Sequence, residues 1–324
     1  MAFHRRVLHI DPAEETERIV DLLASAVFET LRRRGGVVGI SGGLDSSVVL
    51  ALAVRALGAG RVLGVLLPER ESSPDSERLA GLVARQLGVE TVREDVTAPL
   101  AAFGCYRRRD AAVRSLFPEY DDTYRVKITL PDNLLEQETL NVFRVTVIDA
   151  HGGEQARRLR PQDLREIVAA SNLKQRSRMA MLYYHAERRD YAVIGTPNKN
   201  EHEQGFFVKF GDGAYDVAPI VHLYKTQVYQ LAEYLDVPPE IRQRVPTTDT
   251  YSAPVTQEEF FFRLPFETLD LLWYAWEHGV PAAEVAAVME LTVEQVERVW
   301  NDLASKRRTT SYLRQAAIRL GDGD

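Results

Sequence analysis

Cysteine is almost absent from this sequence: Cys105 is the only one in 324 residues. An intrachain disulfide framework and a cysteine-based zinc site are therefore excluded. Cys105 stands in Phe-Gly-Cys-Tyr-Arg-Arg-Arg, a setting without a nucleophile signature, so structural use is expected. No apolar run approaches the length of a membrane span. Met1 to Arg6 lead into acidic positions rather than the apolar stretch of a signal peptide. A soluble, cytoplasmic chain with no membrane partner is the expectation. Excess positive charge is also missing. The 40 Lys and Arg against 47 Asp and Glu give a formal net charge of −7, which points away from nucleic acid. The short basic runs at 32–34, 107–109 and 306–308 read as solvated faces. None of the seven histidines has metal-ligand spacing. His202, beside Glu201, is either polar loop surface or a neighbour of a site. Internal repeats and low-complexity segments are absent as well. The remaining composition, 45% hydrophobic and 27% charged, is that of a globular protein.

The pattern along the chain predicts an α/β fold. Asp11 and Pro12 start a helix that runs to Arg34, where Gly35-Gly36 stops it. Strands follow at Val37–Ile40, Arg61–Leu67 and Glu90–Val96, with helices at Val48–Leu57 and Asp75–Leu87 between them. This alternation predicts a Rossmann-like parallel sheet with helices on both faces. It breaks between about 101 and 160. There Tyr124–Leu130 and Leu140–Ile148 alternate like half-buried strands, around a polar stretch at Pro131–Glu138. The whole chain, 1–324, is read as a single domain with a β-rich insertion at about 101–160 and a helical C-terminal region. Helix resumes after Pro161, a buried strand lies at Tyr191–Gly195, and Thr196–Glu203 is read as a loop. Further helices are expected at Leu223–Leu235, Glu258–Gly279, Ala282–Met289 and Val293–Lys306.

Chemistry enters at Ser41-Gly42-Gly43-Leu44-Asp45-Ser46-Ser47, directly after the first strand and before a helix. Glycines let backbone N–H groups approach an anion, and the helix N-terminus adds a positive dipole end. Serine hydroxyls supply more donors. A carboxylate, Asp45, beside a polyphosphate needs a cation between them, and Mg²⁺ is the natural choice. The loop lacks the Gly-Lys-Ser/Thr ending of one nucleotide-binding motif and the glycine spacing of the dinucleotide fingerprint. Further on, Glu201 follows a strand, where it is placed to supply a second carboxylate to the same cation. Lys209 and Lys225 can neutralise phosphate charge, and Arg176 can grip phosphate or carboxylate in a bidentate fashion.

Ser-Gly-Gly-x-Asp-Ser resembles the pyrophosphate loop of the ATP-pyrophosphatase class, which splits ATP between its α and β phosphates. Three later blocks are similar to the ammonia-dependent NAD synthetase family in particular. They are Asn172-Leu173-Lys174-Gln175-Arg176-Ser177-Arg178-Met179, then Gly195-Thr196-Pro197-Asn198-Lys199-Asn200-Glu201 running on to Asp216, and Leu223-Tyr224-Lys225-Thr226-Gln227-Val228. The resemblance implies a ligase that joins ammonia to the carboxylate of deamido-NAD through an acyl-adenylate, releasing AMP and pyrophosphate. It implies that Gly39, Ile40 and the loop Ser41, Gly42, Gly43, Leu44, Asp45, Ser46 and Ser47 bind ATP, together with Thr196, Lys225 and Thr247. Asp45, Ser46 and Lys225 are implied as catalytic, and Asp45 and Glu201 as Mg²⁺ ligands. Arg176, Lys209, Asp216 and Lys306 are implied to contact the dinucleotide. A homodimer is also implied, with free ammonia or a separate ammonia-donating amidotransferase as the nitrogen source.

The sequence departs from the family pattern in places. Ser305-Lys306 stands where the family carries a His-Lys pair, Pro197 follows Thr196, and the 101–160 insertion is long. The insertion either reshapes the acceptor pocket or is surface elaboration or a dimer contact. These departures favour one rival to the NAD-forming reading, a ligase of the same kind acting on another small carboxylate; a non-catalytic nucleotide-binding regulator is a further alternative, against which the retained Asp45 and Glu201 weigh. Sulfur transfer to tRNA is disfavoured by the acidic balance and the single cysteine.

Overall fold

Four short parallel strands lie at the centre of the computed structural model, which describes residues 3–130, 133–136, 142–248 and 250–319. The chain enters through α1 (Pro12–Ser25), capped by Asp11, whose carboxylate accepts from the Ala13 and Glu14 amides. The α-helix ends earlier than the periodicity predicts, because the chain widens into a π-turn at Ala26–Thr30. Then come β1 (Gly36–Gly39), α2 (Leu44–Leu57), β2 (Val62–Leu66), α3 (Pro74–Gln86) and β3 (Glu90–Arg93). Helix α2 begins at Leu44, so Asp45, Ser46 and Ser47 sit in its first turn rather than in the loop before it.

Within the 101–160 region, α4 (Thr97–Ala102) and α5 (Cys105–Arg114) come ahead of its strands. Three antiparallel strands follow, β4 (Arg125–Thr129), β5 (Arg144–Ile148) and β6 (Glu154–Arg158), in the order β4-β5-β6. The sequence pattern missed β6, because every residue of that edge strand is exposed and no alternation marks it. Of the polar stretch read at Pro131–Glu138, residues 131, 132, 137 and 138 lie outside the described residues, as do Leu140 and Asn141 of the strand read at Leu140–Ile148.

Helix α6 (Pro161–Arg189) is one unbroken rod of 29 residues and leads into β7 (Ala192–Ile194). Thr196–Glu203 is not all loop, since α7 (Lys199–Gln204) forms within it. Helices α8 (Lys225–Tyr234), α9 (Pro239–Arg242), α10 (Phe266–Glu277), α11 (Ala282–Met289), α12 (Val293–Thr309) and α13 (Ser311–Arg314) complete the chain. The helix read over Glu258–Gly279 is interrupted. A π-turn covers Glu258–Phe262, Arg263 turns left-handed at φ 64°, and α10 starts afresh after Pro265.

The parallel sheet has the order β3-β2-β1-β7. Alternation along its strands decides what covers each face. Val38, Ile40, Val62, Leu66, Ala192 and Ile194 pack on α1, α2, α3 and α8. Val37, Leu63, Val65 and Val193 pack on Met179, Leu182 and Ala186 of α6. β1 therefore has β2 on one side and β7 on the other, and the connections diverge at its carboxyl end. Crevices for ligands open at such points. A separate core around Trp273 joins α10, α11 and α12. No helix of the described residues is long and apolar enough to cross a membrane.

Candidate active site

A cavity of about 600 Å³ opens at the carboxyl ends of β1, β2 and β7. Gly39, Ile40, Ser41, Gly43, Leu44, Asp45 and Ser46 line it, and Val65, Leu66, Met179, Leu182 and Ile194 give it an apolar wall. Thr196, Glu201, Lys225 and Thr247 also face it. The structure thus brings together most of the residues expected to bind ATP. Gly42 and Ser47 shape the loop without lining the cavity.

The loop's geometry follows from its residues. Gly42 takes φ 73°, and a Cβ there would stand 2.3 Å from the Ser76 carbonyl oxygen, so α3 lies against its backbone. The Ser46 and Ser47 hydroxyls donate to the Gly43 carbonyl at 3.1 and 2.8 Å, and the Ser41 amide donates to the Ser46 hydroxyl at 3.3 Å. These bonds hold the turn while leaving the start of α2 facing the cavity. An anion seated there meets free N–H groups and the positive end of the helix.

Asp45 is the hub. Its carboxylate accepts from the Asn198 side-chain amide at 3.1 Å and forms a short ion pair with Lys225, whose side chain is 1% exposed. Burial opposes the charge on Lys225, but Asp45 and Glu201 beside it prevail and raise its pKa. Glu201 was expected on a loop and instead occupies the first turn of α7, closing a reciprocal capping box with Asn198. The Asn198 amide donates to the Glu201 carboxylate at 3.2 Å, and the Gln257 side chain donates to it at 3.3 Å. Burial, then repulsion from Asp45, pushes the Glu201 pKa up to about 8. Two carboxylates that repel one another across a polar hollow suit a hard divalent cation, which takes oxygen ligands and completes its shell with phosphate oxygens and water. No group of three or more His, Cys, Asp or Glu is placed for a metal among the described residues. Asp45 and Glu201 both line the cavity.

Behind the site, a buried network fixes the start of α8. Asp270 accepts from Asn200 at 2.5 Å and from the Thr226 amide and hydroxyl at 2.9 Å each, and Asn200 in turn accepts the Lys225 amide at 3.1 Å.

The four residues expected on the dinucleotide lie outside the cavity lining. Arg176 donates to the Lys209 carbonyl at 3.3 Å, while the Lys209 ammonium donates to the Tyr312 and Gln315 carbonyls at 2.9 Å each. Asp216 accepts the Val193 amide at 2.7 Å and the Tyr183 hydroxyl at 3.1 Å, beside a second hollow of about 330 Å³. Lys306 is buried in the last turn of α12 and bonds the Phe261 carbonyl at 2.7 Å and Asp302 at 2.8 Å.

Sequence reasoning gave no role to Asn198, Arg244, Gln257 or the guanidinium of Arg178, all at or beside the cavity. Asn198 was detectable, since Asn with Glu three positions later is a capping signature. The others carry no local signal. Cys105 is buried, its thiol donating to the Ala170 carbonyl at 3.2 Å and raised in pKa by burial, which suits structural use. His202 stacks on Phe207, outside the cavity lining, and its pKa is lowered by burial.

The sequence model of the NAD synthase family matches residues 15–119 and 121–315. An NH(3)-dependent NAD(+) synthetase of Mesorhizobium japonicum is 53% identical over 307 residues, covering 95% of this chain and 96% of its own. The enzyme of the same name from Rhizobium meliloti is 50% identical, over 97% of this chain and 93% of its own. Among solved structures, the NH3-dependent NAD synthetase from Campylobacter jejuni superposes with a TM-score of 0.61. It covers 96% of this chain and 100% of its own at 20% identity, a likeness of fold.

Proposed function

The chain belongs to the NAD synthase family, and from that premise we infer that it makes NAD from deamido-NAD and ammonia, cleaving ATP to AMP and pyrophosphate. The observation that carries this reading is the cavity floored by the Ser-Gly-Gly-x-Asp-Ser loop and Lys225, in a chain so similar over its length to NH(3)-dependent NAD(+) synthetases.

The reaction has two steps. The dinucleotide carboxylate attacks the α-phosphorus, forming a C–O–P bond as the bond to the β-phosphate breaks and pyrophosphate leaves. Ammonia then attacks the acyl carbon, loses a proton, and AMP departs, leaving the amide. The first-turn amides of α2, the serine hydroxyls and the Lys225 ammonium stabilise charge that grows on the departing pyrophosphate. Ammonia is nucleophilic unaided, so no serine or cysteine nucleophile is required. Asp45 and Glu201 would hold Mg²⁺, which supplies charge neutralisation to the polyphosphate when bound. Thr196 and Thr247, which line the cavity, are assigned to the nucleotide.

Arg176, Lys209, Asp216 and Lys306 are assigned to the acceptor side. Support comes from their order in the family pattern and from the proximity of Arg176 to Lys209. Lys306 belongs to this set with its ammonium already engaged by Asp302 and Phe261. We read residues 1–324 as a single domain carrying the antiparallel sheet as an insertion. A homodimer, a cytoplasmic location, and ammonia taken free or from a separate amidotransferase complete the proposal.

Incubation of the protein with ATP, Mg²⁺, ammonium and deamido-NAD tests it, with NAD, AMP and pyrophosphate followed together. Equal yields of all three, lost in Asp45→Ala, support the reading. ATP binding without NAD formation would move the acceptor to another small carboxylate.

A further inference from the structure

Lys174 is buried to 1% exposure yet reaches neither the cavity nor solvent. Its ammonium donates to Glu69 at 2.8 Å, to Glu71 at 2.7 Å and to the Thr250 carbonyl at 2.9 Å. Three segments meet on that one charge: α6, the loop between β2 and α3, and a strap around residue 250. Further bonds fasten the acidic side. Tyr106 donates to Glu69 at 2.7 Å, and Arg109 grips Glu71 with both terminal nitrogens at 2.5 and 2.9 Å. Taking an ammonium out of water is costly, so such a group persists where several partners are fixed around it.

Both tethered segments line the ATP cavity. The β2–α3 loop contributes Pro68, Ser72 and Ser73, and the strap contributes Thr247, Thr248 and Gln257. The strap folds back on itself, the Thr248 amide donating to the Val255 carbonyl at 3.0 Å and the Gln257 amide to Pro246 at 2.9 Å. Its outer side is stitched to the antiparallel sheet. The Ala253 amide donates to the Val126 carbonyl at 3.0 Å, and the Val126 amide donates to the Ser252 hydroxyl at 2.9 Å. Two of its buried side-chain atoms, Thr248 Oγ1 and Gln257 Oε1, have no hydrogen-bond partner among the described residues.

We propose that Lys174 is a positioning residue for ATP: together with the β4 edge of the antiparallel sheet, it holds the strap formed by residues 246–248 and 250–257 in place so that Thr247, Thr248 and Gln257 meet the nucleotide. The inference rests on the nucleotide reading of the cavity given above. It assigns the antiparallel sheet a task in nucleotide binding rather than at the protein surface.

The test measures affinity of the full-length protein for α,β-methylene ATP with Mg²⁺ by calorimetry, alongside steady-state kinetics with NAD as the product. Lys174→Met is expected to weaken the analogue about tenfold, as a displaced binding loop does. It should raise KM for ATP in step, while KM for deamido-NAD and kcat per folded molecule stay within about a factor of three. A merely structural lysine would instead lower the folded fraction and leave KM for ATP where it was. Folded Lys174→Met with unchanged analogue affinity overturns the proposal. Should that variant fail to fold, Ser252→Ala decides, since it loosens the strap from the sheet without stranding a charge. A rise of about threefold in the analogue Kd is expected there, the loss of part of one neutral hydrogen bond, and no change overturns the proposal. Wild-type protein that binds the analogue but makes no NAD would sink the functional reading alone.

Discussion

Gly42 shows how far a single position constrains this site. Its backbone lies in the left-handed region, and a methyl group there would collide with the Ser76 carbonyl. Gly42→Ala is expected to cost about 2 kcal/mol or more in stability, from strain and the forced retreat of α3. Chemical denaturation measures this, and an unshifted midpoint would contradict the clash. Asp45 is constrained by charge instead. Asp45→Asn keeps the shape but removes the charge partner of Lys225, so ATP cleavage should fall at least about a hundredfold while the protein stays folded. Rates of AMP release and the far-ultraviolet circular dichroism check the two halves of that statement. Gly42 and Asp45 were both legible in the sequence, because the phosphate-binding turn is local in the chain. Lys174, Arg244 and Gln257 were not. Their neighbours come from segments tens of residues away, and nothing in the flanking residues announces the meeting.

At the scale of elements, α7 is the instructive case. It has six residues, too few for periodicity to reveal, and it was read as loop. Its existence depends on the Asn198–Glu201 capping box, which contains one expected metal ligand, Glu201, and bonds the other, Asp45, through the Asn198 side chain. Asn198→Ala removes an N-cap, and a loss of about 1 kcal/mol is expected. It should also release Asp45, so the KM for Mg²⁺-ATP should rise more than the stability loss accounts for. A melting curve and a titration with Mg²⁺-ATP separate the two effects, and an unaltered KM would mean that the cap is only structural. The elements with buried apolar faces were easier to read: β1, β2, β7 and α8 follow from apolar runs and turn residues. Strand β6 was invisible because an exposed edge strand has no buried face to leave a mark on the sequence.

For the whole molecule, the buried cluster around Glu71 sets the response to acid. Burial alone would raise the Glu71 pKa, but Arg109 and Lys174 outweigh it and hold the carboxyl at about 2, below its ordinary 4.5. A depressed carboxyl contributes stability above its unfolded pKa and loses it as pH falls through the folded value. Stability on the order of 3 kcal/mol should therefore disappear between about pH 4.5 and pH 2. Glu71→Gln should begin less stable at neutral pH, because Arg109 and Lys174 lose a charge partner, and should decline less steeply across that window. Thermal melts at intervals of pH read the slope, and parallel curves for both proteins would remove Glu71 from the account.

Helix α6 runs from the antiparallel sheet to the parallel one without a break. Ile167 sits in the core beneath β4 and β5, and Met179, Leu182 and Ala186 sit in the core beneath β1, β2 and β7. At about 1.5 Å per residue its 29 residues reach about 44 Å. The two sheets are thus threaded on one axle, and neither can lose its packing without taking a surface from the other. Heat should therefore find a single cooperative unit spanning both sheets, and calorimetry should record one endotherm where two sheets joined by a flexible linker would give two.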